Sequence, residues 1–344
     1  MCEKVTVEML RNVSGTNKIL YEKFFAENSI VSNNIDKLSK TWWQGKYSKN
    51  SYSFVAGKDK KKQELTKKAK EVLHDVFQLK NQELFDEKFE QAVGGDGQEW
   101  RRITRLHSSS LLALLCFYSI SEHNRLEIDI SENVHEKKIK CVFTKSYFER
   151  KNKVGEDENG KAHYSNMDVV LSGTTSDGKK VVLFLESKFS EYLSSGKYDK
   201  ISAKVYDGIY KKLDQPVSEL VFTEESNKTW TINSNEKSMY CGGVKQMISH
   251  FQGIEESFIG SMCDTFDYIC LGEIVFKIPE ELGKKHEKFN SYSTMYEQLA
   301  KKLNEINDEK RFHVLPNLLT YQEVFKNFDL DKNVRAFYQL PLAQ

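Results

Sequence analysis

The stretch that decides the fold is Lys-Val-Val-Leu-Phe-Leu-Glu-Ser-Lys-Phe, residues 180–189. Its apolar run, 181–185, predicts a strand that is covered on both faces and is therefore central in a sheet. The strand ends on Glu186-Ser187-Lys188. Because side chains alternate along a strand, Glu186 and Lys188 are expected to point to the same face. Unpaired charges are costly in such a place, so these two residues indicate a built site.

Hairpin arithmetic places a second acidic residue beside them. Residues 167–171 read Met-Asp-Val-Val-Leu and predict a short strand, and Asp177-Gly178 is a turn signal. In an antiparallel pair, the numbers of facing residues have a constant sum. For Asp168 and Glu186 that sum is 354, whose midpoint, 177, falls at the turn. We therefore expect these two carboxylates to be near neighbours, to within about two residues.

Paired carboxylates at a strand end point to metal chemistry. Two such groups repel each other unless they share a cation or a proton. Hard oxygen ligands suit Mg²⁺, which takes its remaining ligands from water and substrate phosphate. Asp168, Glu186 and the carbonyl of Ser187 are the candidate ligands, and Lys188 would orient or deprotonate an attacking water. The alternative is a structural salt bridge of Lys188 with Glu186 or Asp168.

Strand and helix patterns alternate downstream of residue 138. Strands are predicted at 138–148, 167–171, 180–189, 266–278 and 312–315. Helices are predicted at 193–213, 294–306 and 321–328, and along the apolar repeat of Val244, Met247, Ile248, Phe251 and Ile254. Capping-box patterns begin two of them, Thr294 with Glu297 and Thr320 with Glu323. This alternation predicts an α/β fold with a mixed central β-sheet flanked by helices on both faces.

The N-terminal part has a different character. Polar helical patterns cover 5–11, 18–27 and 64–91, and the strongest break is Val93-Gly94-Gly95-Asp96-Gly97. We therefore predict a helical N-terminal region, 1–95, and an α/β core with C-terminal helices, 96–344. Within the core, residues 99–120 are predicted to form one long helix whose second half is buried.

The Asp…Glu-x-Lys arrangement resembles the PD-(D/E)XK, or restriction-endonuclease-like, nucleases, in which such residues on two adjoining strands form a metal site. The resemblance covers roughly residues 99–325 and is strongest at 166–171 and 184–193. It implies a restriction-endonuclease-like core, metal ligation by Asp168 and Glu186, and a catalytic role for Lys188. Met167 stands where the family name has Pro.

Further motifs extend this resemblance to a subgroup of these nucleases. They are a Ser-rich helix at 108–110, Phe148-Glu149 at a strand end, and the helix start Gly243-Val244-Lys245-Gln246. They imply that Glu149 is an additional metal ligand and that Gln246 reaches the site.

Three further residues are candidate supports of the site. Lys245 and His250, like Gln246, lie off the apolar stripe of their helix, so this side is either solvated or turned to the site. Glu191 follows Lys188 by three residues and either supports the site or lies on the surface.

Two basic stretches are candidate contacts to nucleic-acid phosphates. Residues 58–70 contain seven Lys, and the predicted helix at 99–120 begins with Arg101, Arg102 and Arg105. The alternatives are a solvated helix and pairing with acidic side chains. A net charge of +1, from 51 Lys and Arg against 50 Asp and Glu, excludes a wholesale polycation, so any nucleic-acid binding is local.

The sequence favours a cytoplasmic protein with no membrane partner. Residues 1–20 contain no apolar signal segment, and the longest apolar run, 111–117, is too short to span a bilayer. The six cysteines form no CxxC pair and are expected to be reduced. No phosphate-binding glycine motif and no His/Cys cluster occur, which excludes a nucleotide-hydrolysis domain and a structural zinc of the common kinds.

Two functions are compatible with these features. The first is a nuclease that uses Mg²⁺ or Mn²⁺ to hydrolyse DNA, with RNA as an open alternative substrate. Cleavage of both strands of a duplex would need two sites, and hence a homodimer. The second is a catalytically inactive, nuclease-like module that binds nucleic acid or protein, which the near-neutral charge favours. A salt-bridged α/β domain of unrelated function is the remaining alternative.

Overall fold

The computed structural model describes residues 5–13, 18–41, 51–55, 62–94, 99–131, 138–194, 198–201, 204–213, 217, 220–224, 229–234, 240–257, 265–279 and 284–342. The chain divides into two compact units. Unit 1 consists of Met1–Ile120 with Tyr321–Gln344, and unit 2 of Ser121–Thr320. The division therefore differs from the one predicted near residue 95, because the chain returns to unit 1 at its C-terminal end.

The N-terminal part of unit 1 is mainly helical, as predicted. Its α-helices are α1 (Val7–Arg11), α2 (Ser29–Asn33), α3 (Lys62–Phe77), α4 (Gln82–Gly94), α5 (Glu99–Arg102) and α6 (Ser109–Phe117). A π-helix spans Leu20–Phe25, a 3₁₀-helix spans Ile35–Lys37, and the strands β1 (Ser39–Thr41) and β2 (Ser51–Ser53) pair antiparallel.

Two long helices predicted in unit 1 are interrupted. The stretch 64–91 is broken between α3 and α4, where Gln78 has a positive φ of 49°. The stretch 99–120 is broken between α5 and α6, because the hydroxyl of Ser108 accepts from the amide of Leu111 at 3.1 Å and caps a new helix. The buried second half predicted for 99–120 is confirmed, since Leu111–Phe117 are all buried.

Unit 2 is built on a mixed sheet, so the predicted α/β class and mixed central sheet are confirmed. The strands run in the order β11-β10-β6-β5-β4-β3, with β12 also paired to β10. Neighbours from β3 to β6 pair antiparallel, whereas β10 pairs parallel with β6, β11 and β12. The bounds are β3 (Leu126–Ile130), β4 (Ile139–Glu156), β5 (Ala162–Thr175), β6 (Lys180–Lys188), β10 (Tyr268–Val275), β11 (Phe312–Val314) and β12 (Leu319–Thr320).

Strand β6 is central, and its register with β5 is the predicted one. Its residues from 181 to 188 are all buried, and it lies between β5 and β10. The pairs run from Val169↔Leu185 to Thr174↔Lys180, each with the sum 354. The connecting turn is closed by Gly178, whose φ of +85° suits a residue without a Cβ. One further step of this register places Asp168 opposite Glu186.

A second, smaller sheet was not predicted. Strands β7 (Tyr198–Ile201), β8 (Leu220–Glu224) and β9 (Trp230–Ser234) pair in the order β7-β9-β8. The stretch 193–213, predicted to be helical, contains β7, a 3₁₀-helix at Lys204–Tyr206 and the short helix α7 (Asp207–Lys212). The four residues of β7, Tyr-Asp-Lys-Ile, do not alternate between apolar and polar, so the sequence does not indicate a strand at this position.

Two long helices complete unit 2. Helix α8 (Cys241–Ser257) packs against β4 and β5, and α9 (Lys284–Ile306) packs against β11 and against α8. Thr294 lies inside α9, where its hydroxyl donates to the carbonyl of Asn290 at 3.1 Å, so the predicted capping box there is wrong. In the parts of the chain that the structure describes, no helix combines the length and apolar character needed to cross a bilayer.

The chain then returns to unit 1. Helix α10 (Tyr321–Val324) begins directly after Thr320, as predicted, and α11 (Lys332–Phe337) follows. Asp331 binds this C-terminal segment to the N-terminal part of the unit, since its carboxylate accepts from the amide of Lys80 at 3.0 Å and from the hydroxyl of Tyr118.

Candidate active site

Glu186, at the end of β6, is held by three described donors. Its Oε1 accepts from Lys188 Nζ at 2.5 Å and from Gln246 Nε2 at 2.7 Å, and its Oε2 accepts from His250 Nε2 at 2.8 Å. Burial by itself raises the pKa of Glu186. The charge of Lys188 and the bond from His250 outweigh it and lower the pKa to about 2. Glu186 is therefore an ionised, buried carboxylate.

Helix α8 supplies two of these donors from one face. Gln246 and His250 are four residues apart, one helical turn, so their side chains lie above one another. Gln246 Oε1 also accepts from Lys188 Nζ at 2.6 Å, which ties the helix to both charged residues of β6. The predicted position of Gln246 at the site is confirmed. His250 is buried beside it, so this side of α8 is turned to the site and is not a solvated face.

Lys245 is the exception on α8. Its Nζ lies 3.8 Å from Asp199 Oδ1 and donates to the carbonyl of Lys200 at 3.3 Å, both on β7. The prediction that Lys245 supports the site is therefore wrong. The reason is helical geometry, since the residue before Gln246 is turned by about 100° around the axis.

Asp168, on β5, meets the backbone of β6. Its Oδ2 accepts from the amide of Ser187 at 2.7 Å. Loss of hydration, followed by the nearby charges of Glu186 and Glu149, raises the pKa of Asp168 well above its usual value. Burial is therefore the main cause of this shift, and the two neighbouring acids add to it.

Glu149, on β4, lies opposite Asp168. It falls between the pairs Phe148↔Val169 and Arg150↔Met167, and its backbone has a φ of 50°. A non-glycine residue in this left-handed region is uncommon and is often found at functional sites. The structure thus brings Glu149 near Asp168, whose pKa its charge raises, and its role as a metal ligand stays a prediction.

Glu273, on β10, was missed by the sequence analysis. It is the register partner of Glu186 on the adjacent parallel strand and is fully buried. Its Oε1 accepts from the hydroxyl of Tyr292 at 2.7 Å, and its Oε2 has no hydrogen-bond partner among the described residues. Burial is the main cause that raises the pKa of Glu273 to about 7, against the lowering effects of Lys188 and Tyr292.

A signal for Glu273 was present in the sequence. It is the one acidic residue in the run Tyr-Ile-Cys-Leu-Gly-Glu-Ile-Val of β10, which is the same pattern that singled out Glu186. With it, four consecutive strands of the sheet each contribute a carboxylate to one row across the strands. In order from β4 to β10 these are Glu149, Asp168, Glu186 and Glu273.

Glycine at the start of α8 lets Tyr292 reach Glu273. A Cβ on Gly243 would overlap the Tyr292 hydroxyl, the group that donates to Glu273. A Cβ on Gly242 would meet the ring of Tyr240 at 2.8 Å. The Gly-Gly pair thus permits a close approach of the side chains of Tyr240 and Tyr292.

Lys188 is the buried cation of this site. Burial alone would lower its pKa, but Glu186, and then Tyr240 and Glu273, raise it above the usual value. Glu191 also adds to this effect, while its Oε2 accepts from the amides of Phe189 and Ser190 at 2.7 and 2.9 Å. Glu191 therefore fixes the chain as it leaves β6, and its support of the site stays a prediction.

The three arginines predicted to contact phosphates belong to unit 1 and differ from one another in exposure. Arg101 is exposed, with its guanidinium 4.7 Å from the centre of the Trp100 ring, and Arg102 is half-buried. Arg105 is only 8% exposed, so its proposed contact with a nucleic-acid phosphate is corrected. The break after α5 turns it inward. Residues 58–61 of the Lys-rich stretch lie outside the described residues, and Lys70 pairs with Glu90 at 2.9 Å.

The carboxylates of Asp168 and Glu186, at the ends of β5 and β6, are ligands that suit a magnesium ion bound by few protein groups. Among the described residues, no three His, Cys, Asp or Glu side chains are grouped so that they could hold a metal ion. Mg²⁺ often uses only one or two carboxylates and keeps several waters, which Asp168 and Glu186 can provide.

Comparison with known proteins assigns no family to this arrangement. No family model matches the chain, and no match is found among curated proteins or solved structures. Any proposal about function therefore rests on the geometry and charge of the residues at the ends of β5, β6 and β10.

Proposed function

We propose that unit 2 is a restriction-endonuclease-like nuclease of the PD-(D/E)XK kind, which uses Mg²⁺ or Mn²⁺ to hydrolyse phosphodiester bonds of DNA. The observation that carries the proposal is the position of Asp168. It lies one step beyond the paired part of β5 and β6, opposite Glu186-Ser187-Lys188, with the β5–β6 register that the hairpin arithmetic requires. Burial raises its pKa, and the neighbouring acids Glu186 and Glu149 add to that effect.

Asp168 and Glu186 would hold the ion, with Glu149 as a further acidic group. The bound ion would act as a Lewis acid toward the phosphate and lower the pKa of a coordinated water. Glu186 is already oriented for this role because His250 fixes its Oε2 and Gln246 its Oε1. Such support from outside the ligand set is typical of metal sites.

Lys188 would act as a cation. Its pKa is raised, so its ammonium stays charged and is suited to orient the attacking water and offset charge on the phosphate. This favours positioning over the alternative in which Lys188 deprotonates the water. Without a bound cation, Gln246 Oε1 accepts from this ammonium at 2.6 Å, beside Glu186.

The substrate class and assembly follow from the resemblance and stay proposals. DNA is the proposed substrate, with RNA as the alternative, and Arg101 and Arg102 are the remaining candidates for phosphate contacts. Cleavage of both strands of a duplex would require a homodimer, because one site cuts one strand.

A second candidate function is an inactive, nuclease-like binding module. It is favoured by the saturation of Glu186, since both carboxylate oxygens already accept from protein donors. In such a module Lys188 replaces the metal as the counter-ion of Glu186. The structural salt bridge considered from the sequence is present, and it is compatible with either candidate.

The experiment is a cleavage assay on plasmid DNA, single-stranded DNA and RNA with Mg²⁺ or Mn²⁺. Wild-type protein should cleave, and Lys188→Ala should lower the rate by about a hundredfold or more, as loss of a group that aids proton transfer or charge stabilisation does. Lys245→Ala is the matched control because this lysine faces β7. Absence of cleavage by folded wild-type protein with both metals would support the inactive module.

A further inference from the structure

Glu186 cannot keep all its present partners and also bind a divalent cation. Its Oε1 accepts from the ammonium of Lys188 and from the amide of Gln246. Two cations at one carboxylate oxygen repel each other strongly when they are buried. Lys188 must therefore move away from Oε1 when an ion binds there, yet its side chain is only 3% exposed and needs a new counter-ion.

A buried acceptor for that ammonium lies on the next strand. Glu273 is the register partner of Glu186 and has no exposed surface. Tyr292 fixes its Oε1, while Oε2 has no hydrogen-bond partner among the described residues. A buried carboxylate oxygen without a hydrogen-bond partner destabilises the fold, so a glutamate at this buried position needs an explanation.

The interaction between the two residues is already favourable. The charge of Glu273 raises the pKa of Lys188, and the charge of Lys188 lowers the pKa of Glu273. Val275 on β10 is the register partner of Lys188, so Glu273 lies on the strand that runs beside the lysine.

We propose that Glu273 is a positioning residue that receives the Lys188 ammonium when a divalent cation binds Glu186. This inference rests on the proposed function, because it requires a cation at Asp168 and Glu186. In the cation-free protein Lys188 pairs with Glu186, and in the loaded protein it pairs with Glu273. The carboxylate of Glu273 then makes cation binding easier and keeps Lys188 inside the site.

The test is calorimetric titration of Mn²⁺ into the chelator-treated full chain. Four proteins are compared: wild type, Glu273→Gln, Lys188→Met and the double variant. We expect Glu273→Gln to bind Mn²⁺ about tenfold more weakly than wild type, since each tenfold corresponds to about 1.4 kcal/mol. In the Lys188→Met background the same change should weaken binding by less than about threefold, because there is no ammonium to receive. Glu255→Gln, on α8, is the matched control and should bind as wild type does.

The outcomes separate the inference from the proposed function. Wild type that binds and cleaves, with Glu273→Gln unchanged, would overturn the role of Glu273 alone. An equal loss in both backgrounds would show a plain charge effect and would also overturn it. Wild type that binds no Mn²⁺ would overturn the proposed function and the inference with it.

One added variant, Glu273→Asp, together with Lys188→Met, keeps the test decisive if Glu273→Gln does not fold. Glu273→Asp keeps the carboxylate and should bind within about threefold of wild type. If Glu273→Gln fails to melt cooperatively, Lys188→Met decides, because removal of the competing ammonium should tighten Mn²⁺ binding. A Lys188→Met protein that binds Mn²⁺ no more tightly than wild type would contradict the proposed movement of the ammonium from Glu186 to Glu273.

Discussion

Strands β6 and β10 carry two glutamates at the same register, yet their environments give them opposite properties. Glu186 and Glu273 are both buried and face each other across a parallel pair. Three donors reach Glu186 and lower its pKa to about 2, whereas one donor reaches Glu273 and its pKa rises to about 7. Both carboxylates are buried, so the difference follows from the charge of Lys188 and the bond from His250, which lower the pKa of Glu186 more than Lys188 and Tyr292 lower that of Glu273.

The largest expected effect on the free energy of unfolding comes from replacing Glu186 and Glu273, one at a time, by glutamine. Glu186→Gln leaves the buried Lys188 without its nearest counter-ion and should lower the free energy of unfolding by about 3–5 kcal/mol at pH 8. Glu273→Gln removes a carboxylate that has one hydrogen-bond donor, Tyr292, and should be neutral or stabilising at that pH. Urea unfolding, with Glu255→Gln as control, measures both. Equal losses for the two variants would contradict the contrast.

The second expected effect is the dependence of stability on pH, measured without divalent metal. The pKa of Glu186 is lowered from 4.5 to about 2, so its contribution is present above pH 4.5 and is lost as the pH falls toward 2. The pKa of Glu273 is raised from 4.5 to about 7, so the fold keeps a proton that the unfolded chain releases. The free energy of unfolding should therefore decrease as the pH rises from 4.5 to 7.

Each of these two contributions is about 3 kcal/mol at most, because one pKa unit corresponds to about 1.4 kcal/mol. Unfolding curves of wild type and Glu273→Gln at several pH values isolate the second. The variant should lose the decline between pH 4.5 and 7. A decline that persists in Glu273→Gln would show that another group causes it.

The third effect tests how Tyr292 reaches Glu273. Gly243→Ala places a Cβ against the Tyr292 hydroxyl and should destabilise the protein by about 1–3 kcal/mol. Gly208→Ala, in helix α7 with open space around it, is the matched control and should be neutral or slightly stabilising. Thermal melting compares them. Equal melting temperatures would show that Tyr292 has room to move.

The smallest effect is expected for Tyr292→Phe. It removes the bond to Glu273 Oε1 and should cost about 1 kcal/mol, the usual contribution of one buried hydrogen bond. Because this bond lowers the pKa of Glu273, its loss should raise that pKa further and shift the decline in stability to higher pH. An unchanged pH profile would mean that the bond does not act on Glu273.

The β5–β6 part of the site could be predicted because it depends on local geometry. A short turn fixes the register of a hairpin, so Asp177-Gly178 was enough to place Asp168 opposite Glu186. Gln246 could be placed only through the family resemblance. His250 was left open, because helical spacing shows which residues avoid the apolar stripe and not what they meet.

The β6–β10 part could not be placed in the same way. These strands are parallel, and Glu273 follows Glu186 by 87 positions, so no turn fixes their register. The positive φ of Glu149 and the inward turn of Arg105 also depend on tertiary packing. The break at Ser108 did carry a local signal, since serine is a preferred N-cap.

The central claim is that the acids at the ends of β5 and β6 form a divalent-cation site. The most direct measurement is calorimetric titration of Mn²⁺ into chelator-treated wild type and Asp168→Asn, with Asp199→Asn on β7 as control. We expect saturable binding by wild type and by the control, and a loss of about tenfold or more in Asp168→Asn, because one of two carboxylate ligands is removed. No binding by wild type, or equal binding by Asp168→Asn, would contradict it.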